Sequence, residues 1–297
     1  MSGSRDERLC RTAAVCVAEA KRRLPEPSAK SLRIAPIAGW VGLVIAGCVF
    51  GLLLDPHAVL PVLNAMMGVP FLSQALLRSA ALVHIAKRRR VERTAKGHAD
   101  VSCLPEVLPT YAILVPLLKE AEIIGQLIEG LCRIDYPADR LQISLIVEED
   151  DTCTQSAIAR HMLPDHMRVV VVPQGEPRTK PRALNHALAD ASGAYVVVYD
   201  AEDLPNPGQL REALAVLVSN SETTGCVQAR LNVYNADRNA ITRQFALEYS
   251  ALFGAVLPTL DRLGLPIPLG GTSNHFPRRV LEQVGGWDPY NVTEDAD

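Results

Sequence analysis

Three carboxylates stand together in this chain directly after a hydrophobic run. Residues 195–203 read YVVVYDAED, a pattern that predicts a buried strand stopping at Asp200, Glu202 and Asp203. In an open α/β sheet, ligands bind beyond the carboxyl ends of the strands. Clustered oxygen ligands suit Mg²⁺ or Mn²⁺, and such ions commonly accompany a phosphorylated substrate. A solvated turn or a helix cap is the alternative, so this cluster has to be weighed together with the other motifs.

Acidic groups are also predicted at the ends of two earlier strands. The first strand ends at Pro116 and leads to Glu120, and the second ends in the acidic run 148–151. Carboxylates from separate strands are costly to hold together unless a cation or hydrogen-bond donors compensate their charge. For the run 148–151 alone, a helix N-terminus capped by Thr152 or Thr154 is the alternative. The set as a whole favours a binding site.

Two further motifs add groups that could contact a ligand. The KPRALN motif at Lys180 puts cations at a predicted helix start, which is unfavourable unless an anion such as a diphosphate binds there. A solvated basic loop is the alternative. Residues 269–276, with Gly271 and Thr272, predict a glycine-rich loop that allows close backbone approach to a ligand. It matches neither a P-loop nor a dinucleotide fingerprint, and its His275 is expected to be structural.

The elements that would position these groups alternate from residue 110 onward. Strands alternating with helices predict a mostly parallel sheet with helices on both faces. Right-handed crossovers then place successive strand ends on one rim, where the acidic groups would meet. The predicted strands are 110–116, 141–147, 167–173, 194–200 and 224–231, and the predicted helices are 122–134, 154–161, 181–191 and 207–218.

Length, net charge and cysteine spacing indicate which classes of function suit this chain. The 297 residues suffice for a catalytic domain plus an accessory segment. The net charge of −3 gives no indication of a nucleic-acid-binding protein, so no nucleic acid is expected as a partner. The seven cysteines form no CxxC pair or His/Cys cluster, which indicates neither a zinc site nor a disulfide framework.

The N-terminal third predicts a membrane anchor. Residues 34–54 carry no charge and are long enough to span a bilayer, and 58–77 form a second, weaker uncharged stretch. Basic residues flank both outer ends and none lies in the short link, which predicts a hairpin over 34–86 with both ends cytoplasmic. A buried helical hairpin of a soluble protein is the alternative. A cytoplasmic tail over 1–33 and a linker over 87–108 complete this part.

Seven motifs, taken in order, resemble the inverting family 2 glycosyltransferases, and among them the membrane-bound, cellulose-synthase-like polysaccharide synthases. The resemblance covers residues 110–297 and rests on VPLLKE, the EEDD strand end, KPRALN, YDAEDLP, GGTSNHF, GGWD and TED. It implies a glycosyltransferase-A fold, that is, an α/β fold with a Rossmann-like, mostly parallel sheet, over 109–297, preceded by the transmembrane hairpin.

The resemblance also implies the partners and the place of the enzyme. The donor is a nucleotide-diphosphate sugar, with a UDP-sugar expected, and the metal is Mg²⁺ or Mn²⁺. The acceptor is a glycan, a growing β-linked polysaccharide. The protein would be a multi-pass protein of the inner (plasma) membrane, in contact with the lipid bilayer and with its catalytic domain in the cytoplasm, and synthase-complex subunits are possible partners.

Individual residues receive roles from the same resemblance. Asp200 and Glu202 match the DxD-like metal and diphosphate motif, with Asp203 as the alternative second ligand. Asp295 of the TED motif matches the catalytic base, with Glu294 beside it. The implied substrate-binding residues are Pro116, Glu120, Glu149, Asp150, Asp151, Lys180, Gly271 and Thr272.

The end of the sequence departs from the family pattern. The chain stops two residues after Asp295, whereas the family continues with a QxxRW acceptor motif and more membrane helices, so a truncated chain is expected. Two other interpretations stay open. The acidic rim could serve a metal-dependent phosphohydrolase or nucleotidyltransferase, or the chain could be a non-catalytic, nucleotide-binding membrane subunit.

Overall fold

The computed structural model of the chain describes residues 34–92 and 101–291. The predicted tail over 1–33 lies outside these residues, and so do Glu294 and Asp295. The described residues group into two compact units. The first unit holds the ranges 101–230 and 268–291, and the second holds 34–92 and 231–267.

A six-stranded sheet forms the first unit, in the order β3-β2-β1-β4-β6-β5. The first four strands are parallel, whereas β6 runs antiparallel to both β4 and β5. The predicted α/β class with a mostly parallel sheet is therefore confirmed. The strands are β1 (Tyr111–Leu117), β2 (Leu141–Glu148), β3 (Met167–Val172), β4 (Tyr195–Val198), β5 (Val227–Gln228) and β6 (Asn274–Pro277).

Helices cover both faces of this sheet. One face packs against α3 and α6 through Leu127 and Leu214, and the other packs against α5 and α9 through Leu184 and Leu281. Successive β1 residues enter opposite cores, so the strand must be apolar throughout. The helices of the described residues are α1 (Ile34–Leu54), α2 (Pro56–Glu92), α3 (Ile124–Cys132), α4 (Thr152–Ile158), α5 (Lys180–Ala189), α6 (Gln209–Ser219), α7 (Ala240–Ala251), α8 (Leu257–Arg262) and α9 (Arg278–Val284).

The sheet edge beyond β4 differs from the predicted elements. The predicted strand 224–231 contains only the two residues of β5, and the second half of the predicted loop 269–276 is the start of β6. The Asn274 and His275 side chains are buried in β6, so a polar sequence forms a strand that pairs with β4 on one side and with β5 on the other. The His275 Nδ1 atom lies 2.7 Å from the Tyr111 hydroxyl oxygen, and burial lowers the pKa of His275 to about 3. The histidine is therefore a neutral core residue at physiological pH.

Gly193 marks the closest backbone approach in the connection from α5 to β4. A Cβ atom there would overlap the backbone nitrogen of Ala112 and lie 2.7 Å from the carbonyl oxygen of Tyr195. Because these are sheet backbone atoms, they cannot move aside without disturbing β1 and β4. We expect Gly193→Ala to lower the free energy of unfolding by about 2–3 kcal/mol, measured by chemical denaturation.

Gly125 in α3 provides the matched control for this substitution. The nearest atom to an added Cβ is His161 Cε1 at 3.5 Å, an ordinary van der Waals distance. Gly125→Ala is expected to leave stability unchanged or raise it by up to about 1 kcal/mol, because alanine is the better helix former. Equal unfolding midpoints for the two variants would contradict the packing argument.

The second unit contains the N-terminal helices and the segment 231–267. In this segment α7 continues into a π-helical turn, Leu252–Val256, and then into α8. α1 packs on α2, and Gly51 faces Val59 across their junction. α2 runs through the basic residues to Glu92, beyond the predicted hairpin limit at residue 86. Arginine and lysine are good helix formers, so the basic run extends the helix.

Membrane-spanning potential is concentrated in α2. By length and composition, one helix in the residues that the structure describes could cross a membrane, Pro56–Val83, and no residue of its most apolar stretch of 18 is buried. The apolar part of α1, Gly39–Leu54, is shorter. The two-helix transmembrane hairpin therefore stays a prediction.

Candidate functional site

A cavity of about 310 Å³ opens at the carboxyl ends of β1, β2 and β4, beside the start of α5. The parallel sheet places the carboxyl ends of these strands on one rim, as predicted. Hydrophobic and charged side chains share the lining, which suits a ligand with an apolar part and a charged part. The residues with a predicted role that line it are Pro116, Glu120, Lys180, Asp200 and Glu202, and Leu118, Ile146, Glu148 and Arg178 join them.

Asp200 and Lys180 form the charged centre of the cavity. The Lys180 Nζ atom donates to Asp200 Oδ1 at 2.6 Å and to the carbonyl oxygen of Gly271 at 3.0 Å. Lys180 is the first residue of α5, and the Thr179 side chain caps that helix by accepting from Arg182 N. The lysine thus joins the end of β4 to the glycine-rich loop. Gly271 enters this site through its backbone oxygen.

Asp203 belongs to the wall behind the cavity. Its Oδ2 atom accepts the Asp200 amide at 2.8 Å and the Thr272 hydroxyl. Burial raises the pKa of Asp203, the Thr272 and Asp200 hydrogen bonds lower it, and the charges of Asp200 and Glu202 raise it again, with a net upward shift. Asp203 and Thr272 therefore fix the shape of the loop that carries Asp200.

The negative side of the cavity carries Glu202 and Glu120. Glu202 is exposed and lies in the lining together with Asp200. Burial raises the pKa of Glu120, and the charges of Glu202 and Asp151 raise it further. Mutual repulsion of this kind is relieved when a cation enters.

The donor set fits a divalent cation that a ligand helps to hold. Within residues 34–92 and 101–291, no group of three or more His, Cys, Asp or Glu side chains could hold a metal ion by itself. Mg²⁺ usually binds through one or two carboxylates together with substrate phosphates and water. Asp200 and Glu202 supply that number of carboxylates at one cavity.

Asp151 has a structural position at the start of α4. It is the N-cap of this helix, where Oδ1 accepts from Thr154 N at 3.2 Å and Oδ2 accepts from Lys119 N at 2.6 Å. Burial alone would raise the pKa of Asp151, but the hydrogen bonds from Lys119 and Thr154 outweigh it and hold the pKa low. Lys119 adopts a left-handed backbone conformation with φ 61°. Asp151 thus caps α4 in place of the threonines, and its substrate-binding role stays a prediction.

Glu149 and Asp150 contact the loop that follows β3. Glu149 Oε2 accepts from Gln174 N at 3.1 Å. Asp150 binds the Arg178 guanidinium in a two-pronged ion pair with distances of 2.8 and 2.9 Å. Arg178 itself lines the cavity. Glu149 and Asp150 thus hold the loop after β3 in place, and Asp150 also orients the Arg178 guanidinium at the cavity.

Arg178 is a cavity residue that the sequence-based assignment missed, and Glu148, from the predicted acidic run 148–151, also lines the cavity. Glu148 is buried, and its carboxylate lies 3.7 Å from the equally buried Arg182. Burial raises the pKa of Glu148, while the charges of Arg182 and Arg178 act in the opposite direction. Arg182 donates to the carbonyl oxygens of Gly175 and Pro173. Glu148 is the last residue of β2, at the strand end where the acidic run 148–151 was predicted.

The GGWD motif docks onto α5. Asn185 Nδ2 donates to the Trp287 carbonyl oxygen at 2.6 Å, and Trp287 N donates to Asn185 Oδ1 at 3.0 Å. Gly286 has φ 81°, and a Cβ there would overlap the Asn185 amide. The Thr179 hydroxyl donates to Pro289 O at 2.6 Å. The last described part of the chain, which ends at residue 291, is thereby fixed to the helix that begins at the cavity.

The site can therefore hold an anionic ligand beside a cation and contact an apolar part of that ligand. Several known proteins are similar to this chain. The mannosyltransferase PcManGT from Pyrobaculum calidifontis, solved with GDP-Man and Mn²⁺, matches with a TM-score of 0.51 and 27% identity, over 75% of this chain and 59% of that one.

Two curated relatives are also glycosyltransferases by name. A β-monoglucosyldiacylglycerol synthase of Synechocystis sp. is 30% identical over 67% of this chain and 40% of its own length. A probable glucomannan 4-β-mannosyltransferase 10 of Arabidopsis thaliana is 24% identical over 71% and 39%. The chain spans less than half the length of these relatives. The family model described as glycosyltransferase-like family 2 matches residues 109–297, which include the whole cavity, and the chain belongs to this family.

Proposed function

We propose that this chain is the donor-binding and catalytic part of a membrane-anchored glycosyltransferase. It transfers a sugar from a nucleotide-diphosphate sugar to a growing glycan, with inversion to a β-linkage. The observation that carries the proposal is the meeting of Asp200, Glu202 and Lys180 at one cavity, at the ends of parallel strands. The polysaccharide acceptor is supported by the glucomannan synthase relative, and the metal by the Mn²⁺ in the mannosyltransferase structure.

The two ends of the cavity suit the two parts of the donor. Lys180 and the capped start of α5 face the diphosphate, because a helix N-terminus and an ammonium group both favour anions. Pro116, Leu118 and Ile146 provide the apolar wall for the nucleoside, with Glu120 and Glu148 as hydrogen-bond acceptors. A UDP-sugar is the donor that we propose.

Asp200 and Glu202 would hold the divalent ion, Mg²⁺ or Mn²⁺. When bound, the ion offsets negative charge on the leaving diphosphate. The other residues hold and orient the donor. Lys180 remains hydrogen-bonded to Asp200 and to the carbonyl oxygen of Gly271, and Asp150 orients Arg178. Asp295 takes the proton from the acceptor hydroxyl, a role that rests on the TED motif.

We also propose that α1 and α2 anchor the enzyme in the inner (plasma) membrane, with the catalytic domain in the cytoplasm. The support is the span-length apolar stretch of α2 and the basic residues at its C-terminal end. Synthase-complex subunits would bind as further partners of the anchored enzyme.

A transfer assay tests the proposed function. Membranes containing the protein, in the longest form its gene encodes, are incubated with Mn²⁺ and radiolabelled UDP-sugars, with a GDP-sugar as comparison donor. Label in a β-glycosidase-sensitive polymer is the expected result, and Asp200→Ala is the inactive control. If the label is found in a glycolipid, the acceptor is a lipid and not a polysaccharide.

Other products would favour the other classes of protein. Free sugar without transfer would favour a hydrolase, and pyrophosphate release from a nucleotide and a sugar phosphate would favour a nucleotidyltransferase. Donor binding without any turnover would favour a non-catalytic subunit.

The second metal ligand can be identified by two substitutions. We expect Glu202→Gln to weaken Mn²⁺-dependent donor binding by about 10-fold or more, because it removes a charge at the cavity. Asp203→Asn should change the affinity by no more than about threefold, because an amide oxygen can still accept from Asp200 N and Thr272. Calorimetric titration measures both. An equal or larger loss in Asp203→Asn would make Asp203 the ligand.

A further inference from the structure

Two residues other than glycine have a positive φ in the part of the chain that the structure describes, and both stand beside the candidate site. Lys119 has φ 61° and lies between Leu118 and Glu120, which both line the cavity. Ser273 has φ 58° and follows Thr272, whose hydroxyl holds the loop after β4. Most side chains disfavour this left-handed region, so it persists only where the surrounding structure enforces it, and such residues cluster at ligand sites.

The contacts that enforce the conformation of Lys119 come from the first turn of α4. Asp151 Oδ2 accepts from Lys119 N at 2.6 Å, and Thr154 Oγ1 accepts from the next amide, Glu120 N, at 3.1 Å. Thr154 is fully buried and Asp151 is buried, so packing fixes both acceptors. Two consecutive amides of the turn after β1 are therefore held by side chains of the helix that follows β2.

The turn held in this way forms one wall of the cavity. Leu118 and Glu120 line it next to Pro116 and Ile146, whereas the Lys119 side chain is exposed and takes no part in the lining. Because Lys119 stands between the two lining residues, its backbone conformation sets the direction of Glu120 relative to Leu118. The shape of this wall thus depends on a residue that does not line the cavity.

We propose that Thr154 and Lys119 are positioning residues for nucleoside recognition. Thr154 acts through the Glu120 amide, and Lys119 acts through its left-handed backbone. The proposal rests on the proposed function, since it concerns the wall that we assign to the nucleoside of the donor. The hydrogen bonds from α4 form this wall before the donor arrives. Preorganisation of this kind raises affinity, because less ordering of the protein has to accompany binding.

Substitutions of Lys119 test the role of its backbone, since the side chain is exposed. Asparagine accepts the left-handed region, whereas the β-branched valine strongly disfavours it. We expect Lys119→Asn to raise the affinity for UDP by up to about threefold and Lys119→Val to lower it by about tenfold. Calorimetric titration should show the same factors for a UDP-sugar. The ratio of affinities with and without Mn²⁺ should not change, because the proposed metal ligands are Asp200 and Glu202.

Substitutions of Thr154 test the hydrogen bond to the Glu120 amide. Thr154→Val keeps the shape of the side chain but removes the acceptor, and it should lower the affinity for UDP by about fivefold. Thr154→Ser keeps the hydroxyl and should recover most of that loss. Thr152→Val is the matched control, because Thr152 is exposed in the same helical turn, and its affinity should be unchanged. Unfolding midpoints verify the fold of each variant, and the exposed Lys119 decides the test if Thr154→Val does not fold.

The outcomes separate this proposal from the proposed function. Affinities that fall in the order asparagine, lysine, valine at position 119, with recovery in Thr154→Ser, support the positioning roles. Equal losses in Lys119→Asn and Lys119→Val would show that the ammonium group itself binds the donor. That result, or unchanged affinity in Lys119→Val, overturns the positioning roles and leaves the proposed function intact. If the unaltered protein binds neither UDP nor a UDP-sugar, the proposed donor and the positioning roles are overturned together.

Discussion

Replacement of Asp200 by alanine is expected to abolish metal-dependent binding of the nucleotide-diphosphate sugar while leaving the fold intact. Asp200 is the carboxylate that both lines the cavity and pairs with Lys180, at 2.6 Å. Since loss of groups that only support a metal site costs about 10–100-fold in affinity, loss of a direct ligand should cost about 100-fold or more. Calorimetric titration of a UDP-sugar with and without Mn²⁺ measures this loss.

Asp190 offers a matched control in the same unit of the structure. Its carboxylate is exposed and pairs with Arg168 at 2.8 Å. Exposed ion pairs contribute at most about 1 kcal/mol to stability, so Asp190→Ala should keep both the fold and the donor affinity. Wild-type donor affinity in Asp200→Ala would remove this residue from the site. Equal losses in both variants would show that the effect is not specific to the cavity.

Replacement of Asp295 by asparagine should slow sugar transfer by about 10²–10⁴-fold, the usual contribution of a general base. Asparagine keeps the shape of the side chain but cannot take the acceptor proton. Donor affinity should remain close to that of the unaltered protein, because the proposed donor contacts lie at the cavity. The measurement is kcat together with the dissociation constant of the donor, in the longest form of the protein that its gene encodes.

Asp297 is the control for this second substitution, since it lies in the same acidic run. Asp297→Asn should transfer sugar at close to the normal rate, because the TED motif assigns the base to Asp295. Full activity in Asp295→Asn would refute that assignment. If Asp295→Asn instead lowers the donor affinity by as much as it lowers the transfer rate, Asp295 is part of the donor site.

The sequence predicts best those features that depend on neighbouring residues. The runs that become β1 and β2 are apolar because both faces of the sheet are covered, and β2 ends in the acidic run at the rim. Asp200 and Lys180 were found because one follows a buried strand and the other begins a helix. Local pattern was enough to place both at the cavity, although their contact of 2.6 Å joins positions 20 residues apart.

The features that the sequence did not predict depend on contacts between distant residues. β6 is an internal strand with buried polar residues, because Tyr111 and Gly270 provide hydrogen bonds for His275 and Asn274. The hydrogen bond from Lys119 to Asp151 joins positions 32 residues apart, so no local pattern could predict it. The association of 231–267 with α2 depends on packing, since no local pattern separates this segment from the catalytic sheet.

The two hydrogen bonds of the Thr179 hydroxyl have a thermodynamic consequence. Thr179 caps α5 immediately before Lys180, and the same hydroxyl holds Pro289. Ordering of the first turn of α5 and retention of the chain near Pro289 therefore share one hydrogen-bonding group. Linkage makes such coupling reciprocal: if a bound donor tightens the hold on Pro289, then whatever fixes Pro289 in place raises donor affinity by the same factor. The sugar donor and the C-terminal segment would then be each other's effectors.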